Sequence, residues 1–263
     1  MSKKELPRQE LKRMVGRVIL ITGGGGVIAR GIARAFVREG AKLVLTDIFP
    51  DGMERLKAEL KQEFQAEVLA IVADGSKEEQ VKAAIEAGVK RFGRLDAVIN
   101  NAQTSASGKL LEEHTTADFD KAIYSGLYGT FYYMKYALPY LKETEGSVVN
   151  FASGAGLSGK AGQSSYAAAK EGIRGLTRVA ATEWGPYGIN VNVVCPLVMT
   201  DALINWRTAN PELFEKTLQG IPLGKYGDSE QDIGKICVFL CSYDASYMSG
   251  ETIHVQGGSG LRP

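Results

Sequence analysis

Short apolar runs alternate with amphipathic stretches along most of the chain. The runs at 17–22 and 42–47 are almost continuously apolar, as expected of parallel strands covered on both faces. The intervening segment 77–92 is charged on one side and apolar on the other, which is typical of a helix packed on a sheet. The alternation predicts an α/β protein with one doubly wound parallel sheet of about seven strands, flanked by helices.

One large domain accounts for this pattern. The chain has 263 residues, which is long enough to bury a sizeable core without a second domain. We predict a single domain over 16–263. The polar residues at 1–15 carry mixed charge without clear periodicity, and we predict that they form an N-terminal arm.

A less regular segment interrupts the pattern near the end of the chain. Residues 201–226 carry large apolar side chains, including Leu203 and Trp206, without a clear strand or helix period. An insertion of this kind beside an active site is typical of a substrate lid with an apolar inner surface. We predict a helical lid over about 199–226. A plain pair of surface helices is the alternative interpretation.

Composition excludes several classes of protein. The net charge of +1 argues against a nucleic-acid surface. The chain has no apolar stretch of membrane-spanning length, and its start does not resemble a signal peptide. We therefore expect a cytoplasmic protein. The three cysteines lack metal-ligand spacing and indicate reduced core thiols. Only two histidines are present, far apart, so we expect no metal site.

The candidate chemistry lies between residues 147 and 170. An apolar run at 147–151 predicts a buried strand, and Ser153 follows its carboxyl end in a turn of small residues. The next segment is rich in helix formers, with an N-cap candidate at Ser164 or Ser165. Ser153 is therefore expected at the edge of the sheet where the following helix begins.

Tyr166 and Lys170 fall at positions i and i+4 of that helix, so both side chains project from one face. Hydride transfer to or from an alcohol carbon needs an acid or base with a suitable pKa, which exchanges a proton with the alcohol oxygen. It also needs a neutral hydrogen-bond donor beside that oxygen. We expect the Lys170 ammonium to lower the pKa of the Tyr166 phenol, and Ser153 to act as the donor. An ordinary helix pair with a turn serine is the alternative interpretation.

A glycine run follows the first strand. Gly23, Gly25 and Gly26 precede a helix that includes Ile28, and its free N–H groups are suited to a pyrophosphate. A flexible turn is the alternative. Asp47 ends the second strand, where a carboxylate would accept hydrogen bonds from the adenosine ribose and repel a 2′-phosphate, which predicts NAD. A turn or N-cap aspartate is the alternative there.

These motifs together resemble one family. A serine thirteen residues before Tyr-x-x-x-Lys, downstream of the glycine-rich turn and Asn100-Asn101-Ala102, is similar to the short-chain dehydrogenase/reductase family over about 17–258. The resemblance implies a Rossmann fold, a nicotinamide cofactor and Ser153, Tyr166 and Lys170 as catalytic residues. It also implies cofactor contacts at Asp74, Gly75, Asn101, Ala102, Tyr166, Lys170, Pro196, Val198 and Thr200.

The chain departs from the family pattern at several positions. Val27 and Ala29 stand where glycines are usual, which requires one of the preceding glycines to adopt the unusual backbone angle. Gln103 replaces the glycine of Asn-Asn-Ala-Gly and is expected to face the substrate. Gly126 stands where an asparagine is usual, so we expect a triad and no tetrad. The segment after Pro196 is one residue shorter and lacks a glycine.

Longer stretches, including GQSSYAAAKEGIRGL and SGETIHVQGGSGLRP, resemble bacterial hydroxysteroid dehydrogenases, in particular the 12α type that acts on bile acids. The resemblance implies a steroid or bile-acid substrate, with a 12α-hydroxyl favoured. Another steroid position such as 20β, 3 or 7, another small apolar alcohol, and a catalytically inactive dinucleotide sensor are the alternatives. The substrate-contact candidates are Gln103, Ser105, Ser153, Gln163, Leu203 and Trp206.

Tyrosines recur every four residues from Tyr124 to Tyr140. A stripe of this kind is typical of a core or an interface. The family resemblance implies contacts between subunits through this helix and the Tyr166 helix, so a homotetramer or homodimer is expected.

Overall fold

The seven predicted strands form one parallel sheet. A computed structural model describes residues 12–260, so most of the predicted arm at 1–15 lies outside the described residues. The sheet order is β3-β2-β1-β4-β5-β6-β7, with every neighbouring pair parallel. The strands are β1 (Val18–Thr22), β2 (Lys42–Asp47), β3 (Val68–Val72), β4 (Ala97–Asn100), β5 (Ser147–Phe151), β6 (Asn190–Pro196) and β7 (Thr252–Val255).

Helices cover both faces of this sheet. Two predicted helices contain π-helical turns, at Ile123–Tyr128 and Ser229–Gly234, and short 3₁₀ turns lie at Leu111–Glu113, Gly185–Tyr187 and Tyr243–Ala245. The α-helices are α1 (Val27–Arg38), α2 (Pro50–Phe64), α3 (Glu78–Phe92), α4 (Thr116–Ala122), α5 (Gly129–Thr144), α6 (Gly154–Ser158), α7 (Ser164–Trp184), α8 (Asp201–Ala209), α9 (Pro211–Gln219) and α10 (Lys235–Leu240).

The strands run as continuous apolar segments because both faces of the sheet are buried. One apolar cluster joins the sheet to α1, α2 and α10, and a second joins it to α3, α5 and α7. The order of connection reverses between β1 and β4, and this crevice at the carboxyl ends of the strands is where sheets of this kind bind ligands.

The irregular segment at 201–226 contains two helices, α8 and α9. They contact each other through Trp206 and Phe214, whose ring centroids lie 6.3 Å apart, and Phe214 in turn stacks on Tyr226 at 5.4 Å. The helix pair follows directly after β6, beside the crevice. In the described part of the chain, no helix has the length and apolar character needed to cross a membrane.

Helix α1 packs very closely on the π-helical turn at 229–234. A Cβ atom on Gly31 would lie 2.2 Å from the carbonyl carbon of Ser229, so only glycine fits at this contact. Ion pairs surround it, since the Arg34 guanidinium bridges to Glu230 at 2.7 Å and to Glu63 at 2.6 Å. This contact fixes the helix whose amino terminus faces the crevice.

We predict that Gly31→Ala lowers the free energy of unfolding by about 1–3 kcal/mol, because the added methyl group overpacks a backbone contact. Gly175→Ala is the matched control, since this glycine is also helical but its Cβ would meet no atom within 4 Å. The control is expected to raise stability by about 0.5–1 kcal/mol through helix propensity. Urea denaturation of both variants measures the difference, and equal effects would contradict the packing argument.

Candidate active site

Ser153 lies immediately beyond the carboxyl end of β5, as predicted from the sequence. Its side-chain oxygen accepts a hydrogen bond from the Ala155 N–H at 3.1 Å, so Ser153 is the N-cap of α6. Because a lone pair of the oxygen is used by this contact, the hydroxyl hydrogen is left to donate elsewhere. The turn therefore orients Ser153 as a neutral hydrogen-bond donor.

Tyr166 lies in the first turn of α7. The predicted serine N-cap is wrong, because Gln163 occupies the cap position without a side-chain cap bond and Ser164 is already helical. The Ser164 hydroxyl instead lies 3.1 Å from Nδ1 of His114, which ties the start of α7 to the segment after β4. The helix still begins early enough to place Tyr166 and Lys170 on one face.

Lys170 is buried beneath the tyrosine. Its Nζ donates a hydrogen bond to the Phe151 carbonyl at 2.7 Å and lies 5.6 Å from the centroid of the Tyr166 ring. The carbonyl belongs to the last residue of β5, two positions before Ser153. One hydrogen bond thus joins the strand that carries the serine to the helix that carries the tyrosine.

The electrostatics of this group differ from the expectation. Burial raises the pKa of the Tyr166 phenol, and a hydrogen-bonding contact with Ser153 opposes that rise. Burial also lowers the pKa of Lys170 to about 7, an effect that proximity to Cys195 opposes. The predicted lowering of the phenol pKa by Lys170 is therefore not seen here, because the same burial that raises the tyrosine pKa removes much of the lysine charge at neutral pH.

The glycine run forms the turn between β1 and α1. Gly23 alone of the four glycines has a positive φ, of 66°, so it takes the unusual angle that Val27 and Ala29 cannot. A Cβ on Gly23 would lie 3.0 Å from the Cα of Ala102, which shows how closely the two loops approach. The close approach places the glycine turn and the end of β4 on the same crevice.

Asp47 closes the other side of this turn. Its carboxylate accepts hydrogen bonds from the Gly25 N–H at 3.0 Å and from the Phe49 N–H at 3.1 Å. Asp47 is thus a turn residue and not the N-cap of α2, which is Phe49. The Gly25 N–H is already engaged, so the N–H groups of the first turn of α1 remain for an anion.

A cleft of about 870 Å³ runs along the carboxyl ends of β1, β2, β3 and β4. It brings together nine of the predicted cofactor residues, whereas Gly25, Tyr166, Lys170, Pro196 and Val198 lie outside its lining. The nine are Gly23, Gly26, Ile28, Asp47, Asp74, Gly75, Asn101, Ala102 and Thr200.

The residues on the far side of the cleft are held by local bonds. The Asp74 carboxylate accepts hydrogen bonds from the N–H and hydroxyl of Ser76, at 2.9 and 2.7 Å. Thr200 caps α8 by accepting from the Leu203 N–H at 3.3 Å. Val198 is buried outside the lining of the cleft and forms an isolated parallel bridge with Gly227.

Apart from Ser153, the predicted substrate contacts lie in three separate places. Ser105 and Gln163 lie near each other, joined through Ser107, whose hydroxyl lies 2.8 Å from each of their side-chain oxygens. The Gln103 amide is buried against Gly126, an arrangement that does not favour the expected contact of this amide with substrate. Trp206 is exposed on α8.

Sequence reasoning missed several residues that shape the site. The Thr22 hydroxyl accepts from the N–H groups of Asn101 and Ala102, at 3.0 and 2.9 Å, and so fixes the loop after β4. Gln256 packs against Gly154, where a Cβ would lie 2.5 Å from its amide nitrogen. A threonine at the end of a strand gives a weak signal, and Gln256 gives none, because its partner lies about a hundred positions away.

The cleft fits a dinucleotide. Helix α1 has no side-chain cap and no acidic residue in its first turn, so the N–H groups of that turn are available to an anion. Because Gly23 has no side chain, the turn before α1 and the loop after β4 can approach each other closely at the cleft. Among residues 12–260, no group of three or more His, Cys, Asp or Glu could hold a metal ion.

Comparison with known proteins gives a consistent result. The family profile described as enoyl-(acyl carrier protein) reductase matches residues 25–260. The chain is 55% identical to a 12α-hydroxysteroid dehydrogenase of a Clostridium species, covering 94% of this chain and 98% of the relative. It is 39% identical to levodione reductase of Leifsonia aquatica, covering 94% and 95%.

Solved structures agree with these relatives. A crystal structure of levodione reductase matches with a TM-score of 0.88 at 40% identity, covering 94% of this chain and 98% of that one. A structure of NAD⁺-bound xylitol dehydrogenase matches with a TM-score of 0.88 at 27% identity, covering 94% and 100%.

We predict that Lys170→Met stabilises the nucleotide-free protein most below pH 7. Because burial lowers the pKa of Lys170 to about 7, from about 10.5 when unfolded, the charged form opposes folding fully below pH 7. That opposition declines as the pH rises from 7 towards 10.5, so the gain should shrink over this window. Urea unfolding at several pH values measures it, with Lys90→Met as an exposed control. A gain that does not vary with pH would contradict the assignment.

Proposed function

The chain belongs to the short-chain dehydrogenase/reductase family of oxidoreductases, and from this premise we propose that it is an NAD-dependent hydroxysteroid dehydrogenase. The reaction is reversible hydride transfer between a nicotinamide cofactor and a hydroxyl or ketone of a steroid or bile acid, with the 12α-hydroxyl favoured. The observation that carries the substrate assignment is the 55% identity, over nearly the full length of both chains, to a protein named 12α-hydroxysteroid dehydrogenase.

The proposed chemistry rests on the group at the end of β5. Tyr166 exchanges a proton with the reacting oxygen, and Ser153 donates a hydrogen bond to the same oxygen. The Ser153 turn supports this role, because its oxygen already accepts from Ala155 and its hydrogen is available. Lys170 lies near the Tyr166 ring and positions the phenol.

The charge of Lys170 depends on what else enters the site. Its ammonium has three donors, and the Phe151 carbonyl accepts one of them. Hydroxyl acceptors of a bound ribose would stabilise the charged form and raise its pKa from about 7, which in turn would lower the pKa of the phenol. We infer that the tuning expected from the sequence arises on cofactor binding.

The cofactor supplies or accepts the hydride when bound. The amino terminus of α1, with Gly26 and Ile28, would hold its pyrophosphate, and Asp74 and Gly75 its adenine. Lys170 would hold a ribose. Asn101, Ala102 and Thr200, with Pro196 and the Val198 backbone, would line the nicotinamide end.

The preference for NAD is assigned to Asp47. Its carboxylate lies in the cleft at the end of β2, where it would face the ribose of a bound dinucleotide. A negative charge there accepts hydrogen bonds from a ribose diol and repels a 2′-phosphate. The same carboxylate also holds the Gly25 and Phe49 N–H groups, so its turn role and its cofactor role coexist.

The helix pair α8–α9 is proposed as the lid over the substrate. It follows Thr200 directly and carries Leu203 and Trp206, whose apolar side chains suit a rigid polycycle. Ser105 and Gln163, joined through Ser107, would meet polar groups of the substrate. Oxidation of a different steroid position, or of another small apolar alcohol, is the second candidate and uses the same catalytic group.

The aromatic face of the helix at 123–144 is proposed as a subunit contact. Tyr124, Tyr128 and Phe131 are all exposed, and the first two rings stack at 5.0 Å. Exposed aromatic groups on one helix face are typical of interfaces between copies.

The proposed function predicts turnover in an NAD-reduction assay with bile acids that differ only at positions 3, 7 and 12. We expect NADH formation from the acids with a 12α-hydroxyl and little from those without it.

Tyr166→Phe should reduce turnover by roughly 10²–10⁴-fold while leaving NADH binding nearly intact. Reaction at another position would shift the assignment to that steroid position, and slow catalysis with lost NADH binding in Tyr166→Phe would contradict the proton-transfer role.

Cofactor choice is tested by replacing Asp47. Asp47→Ala should lower the preference for NADH over NADPH roughly tenfold or more, because a hydrogen bond to a charged group contributes about 1.5–3 kcal/mol. Asp47→Asn keeps an acceptor for the turn but removes the charge, and it separates the two roles of the residue. Specificity constants for both cofactors measure the ratio. A ratio unchanged in both variants would refute the assignment.

A further inference from the structure

The proposed catalytic tyrosine lies in a part of α7 that the helix itself does not secure. Tyr166 is the third residue of α7, and the first four N–H groups of a helix have no partner within it, so this end unwinds most readily. Gln163 at the cap position forms no side-chain cap bond, and the first turn has no acidic residue to offset the positive end of the helix dipole. The orientation of the phenol therefore depends on contacts that hold this turn from outside the helix.

The loop after β4 supplies such contacts. The Gly108 N–H donates a hydrogen bond to the Gly162 carbonyl at 2.7 Å, and the Ser107 hydroxyl donates one to the Gln163 side chain at 2.8 Å. A Cβ atom on Gly162 would lie 3.4 Å from the Cα of Gly108, so the two backbones approach closely. Both hydrogen bonds end before the first turn of α7, so the turn itself needs another partner.

His114 is the side chain of this loop that reaches the first turn. Its Nδ1 lies 3.1 Å from the hydroxyl oxygen of Ser164, and its Nε2 lies 3.2 Å from that of Ser165. Nδ1 also lies 3.1 Å from the Leu110 carbonyl, which can only accept. Nδ1 therefore carries the hydrogen, and the Ser165 hydroxyl donates to Nε2 of the neutral ring.

Ser165 passes this constraint to the tyrosine. It is 1% exposed and directly precedes Tyr166. Inside a helix such a hydroxyl can bond to the carbonyl four residues earlier, as Thr177 does to Ile173 at 2.8 Å. That carbonyl lies outside the helix for Ser165, because α7 begins at Ser164. The imidazole thus gives a buried hydroxyl its partner at the point where the helix cannot.

We propose that His114 is a positioning residue for Tyr166, which fixes the first turn of α7 through its hydrogen bonds to Ser164 and Ser165. The same ring is bonded to Leu110, in the loop that carries the candidate substrate contact Ser105. The substrate side of the site and the phenol are therefore held as one unit. The inference rests on the proposed dehydrogenase function for its effect on turnover, but the contact itself is tested without substrate.

Amide hydrogen exchange is the test that needs no substrate. The Ala167 N–H donates to the Gln163 carbonyl at 2.7 Å, so its exchange rate measures opening of the first turn. His114→Phe keeps the shape of a ring but removes both nitrogens. It should raise this rate roughly 3–10-fold and leave unchanged that of Ala180, further along α7. Glu112→Gln, an exposed change on the same loop, is the matched control and should alter neither rate. Equal rates in His114→Phe and the wild type would overturn the inference.

A second variant removes the other partner. Ser165→Ala keeps the ring, so it tests the contact even if His114→Phe does not fold. It should also raise the exchange rate of Ala167, and adding it to His114→Phe should have no further effect, because the hydrogen bond is already lost. Additive effects in the double variant would contradict an action through Ser165.

Turnover provides the remaining measurement. With a hydroxysteroid substrate, His114→Phe should lower kcat roughly tenfold or more, with KM for NAD nearly unchanged, because a small displacement of the proton-exchanging group is costly. His114→Gln should recover most of the loss, since its amide reaches the position of Nε2. His114→Asn reaches only that of Nδ1 and should not.

The outcomes separate positioning from a merely structural role. An unchanged kcat in a less stable His114→Phe protein, or equal recovery by the two amides, would overturn the inference. A wild type that oxidises no hydroxysteroid would refute the proposed function alone, because hydrogen exchange still tests the contact.

Discussion

The hydrogen bond from Lys170 to the Phe151 carbonyl is the contact on which the site depends. It joins α7 to the end of β5 inside the protein, at 2.7 Å, and so fixes the distance between the helix that carries Tyr166 and the turn that carries Ser153. A buried ammonium is unstable without acceptors, so it holds this carbonyl and remains ready to bind further oxygens. The buried ammonium lowers the stability of the fold, but its hydrogen bond organises the site before any ligand binds.

The electrostatic state of the site follows from the same burial. In the protein alone, the lysine pKa is lowered to about 7 and the pKa of the tyrosine is raised, so the pair is not yet tuned for proton transfer. Polar acceptors reverse this shift when they meet the ammonium. We infer that a cofactor bound in the cleft supplies these acceptors, so that the site is tuned only when it is loaded.

The sequence was sufficient to predict the sheet and the helix that carries Tyr166 and Lys170, because both depend on local patterns. Apolar runs predicted the strands, and the spacing of Tyr166 and Lys170 required only a helix. Contacts between distant segments were not predictable. Three contacts depend on how loops meet at the edge of the sheet. They are the packing of Gln103 on Gly126, the hydrogen bonds from the loop after β4 to Thr22, and the packing of Gln256 on Gly154. The helix cap was mispredicted because Ser164 binds His114, a partner fifty residues away.

The most direct measurement is a crystal structure of the full chain with NADH bound. We expect the Tyr166 and Ser153 hydroxyls both to point to one position beside the nicotinamide ring, with Lys170 donating to the adjoining ribose while it keeps its hydrogen bond to the Phe151 carbonyl. A phenol turned into the protein interior, or a serine hydroxyl out of reach of that position with the cofactor in place, would contradict it.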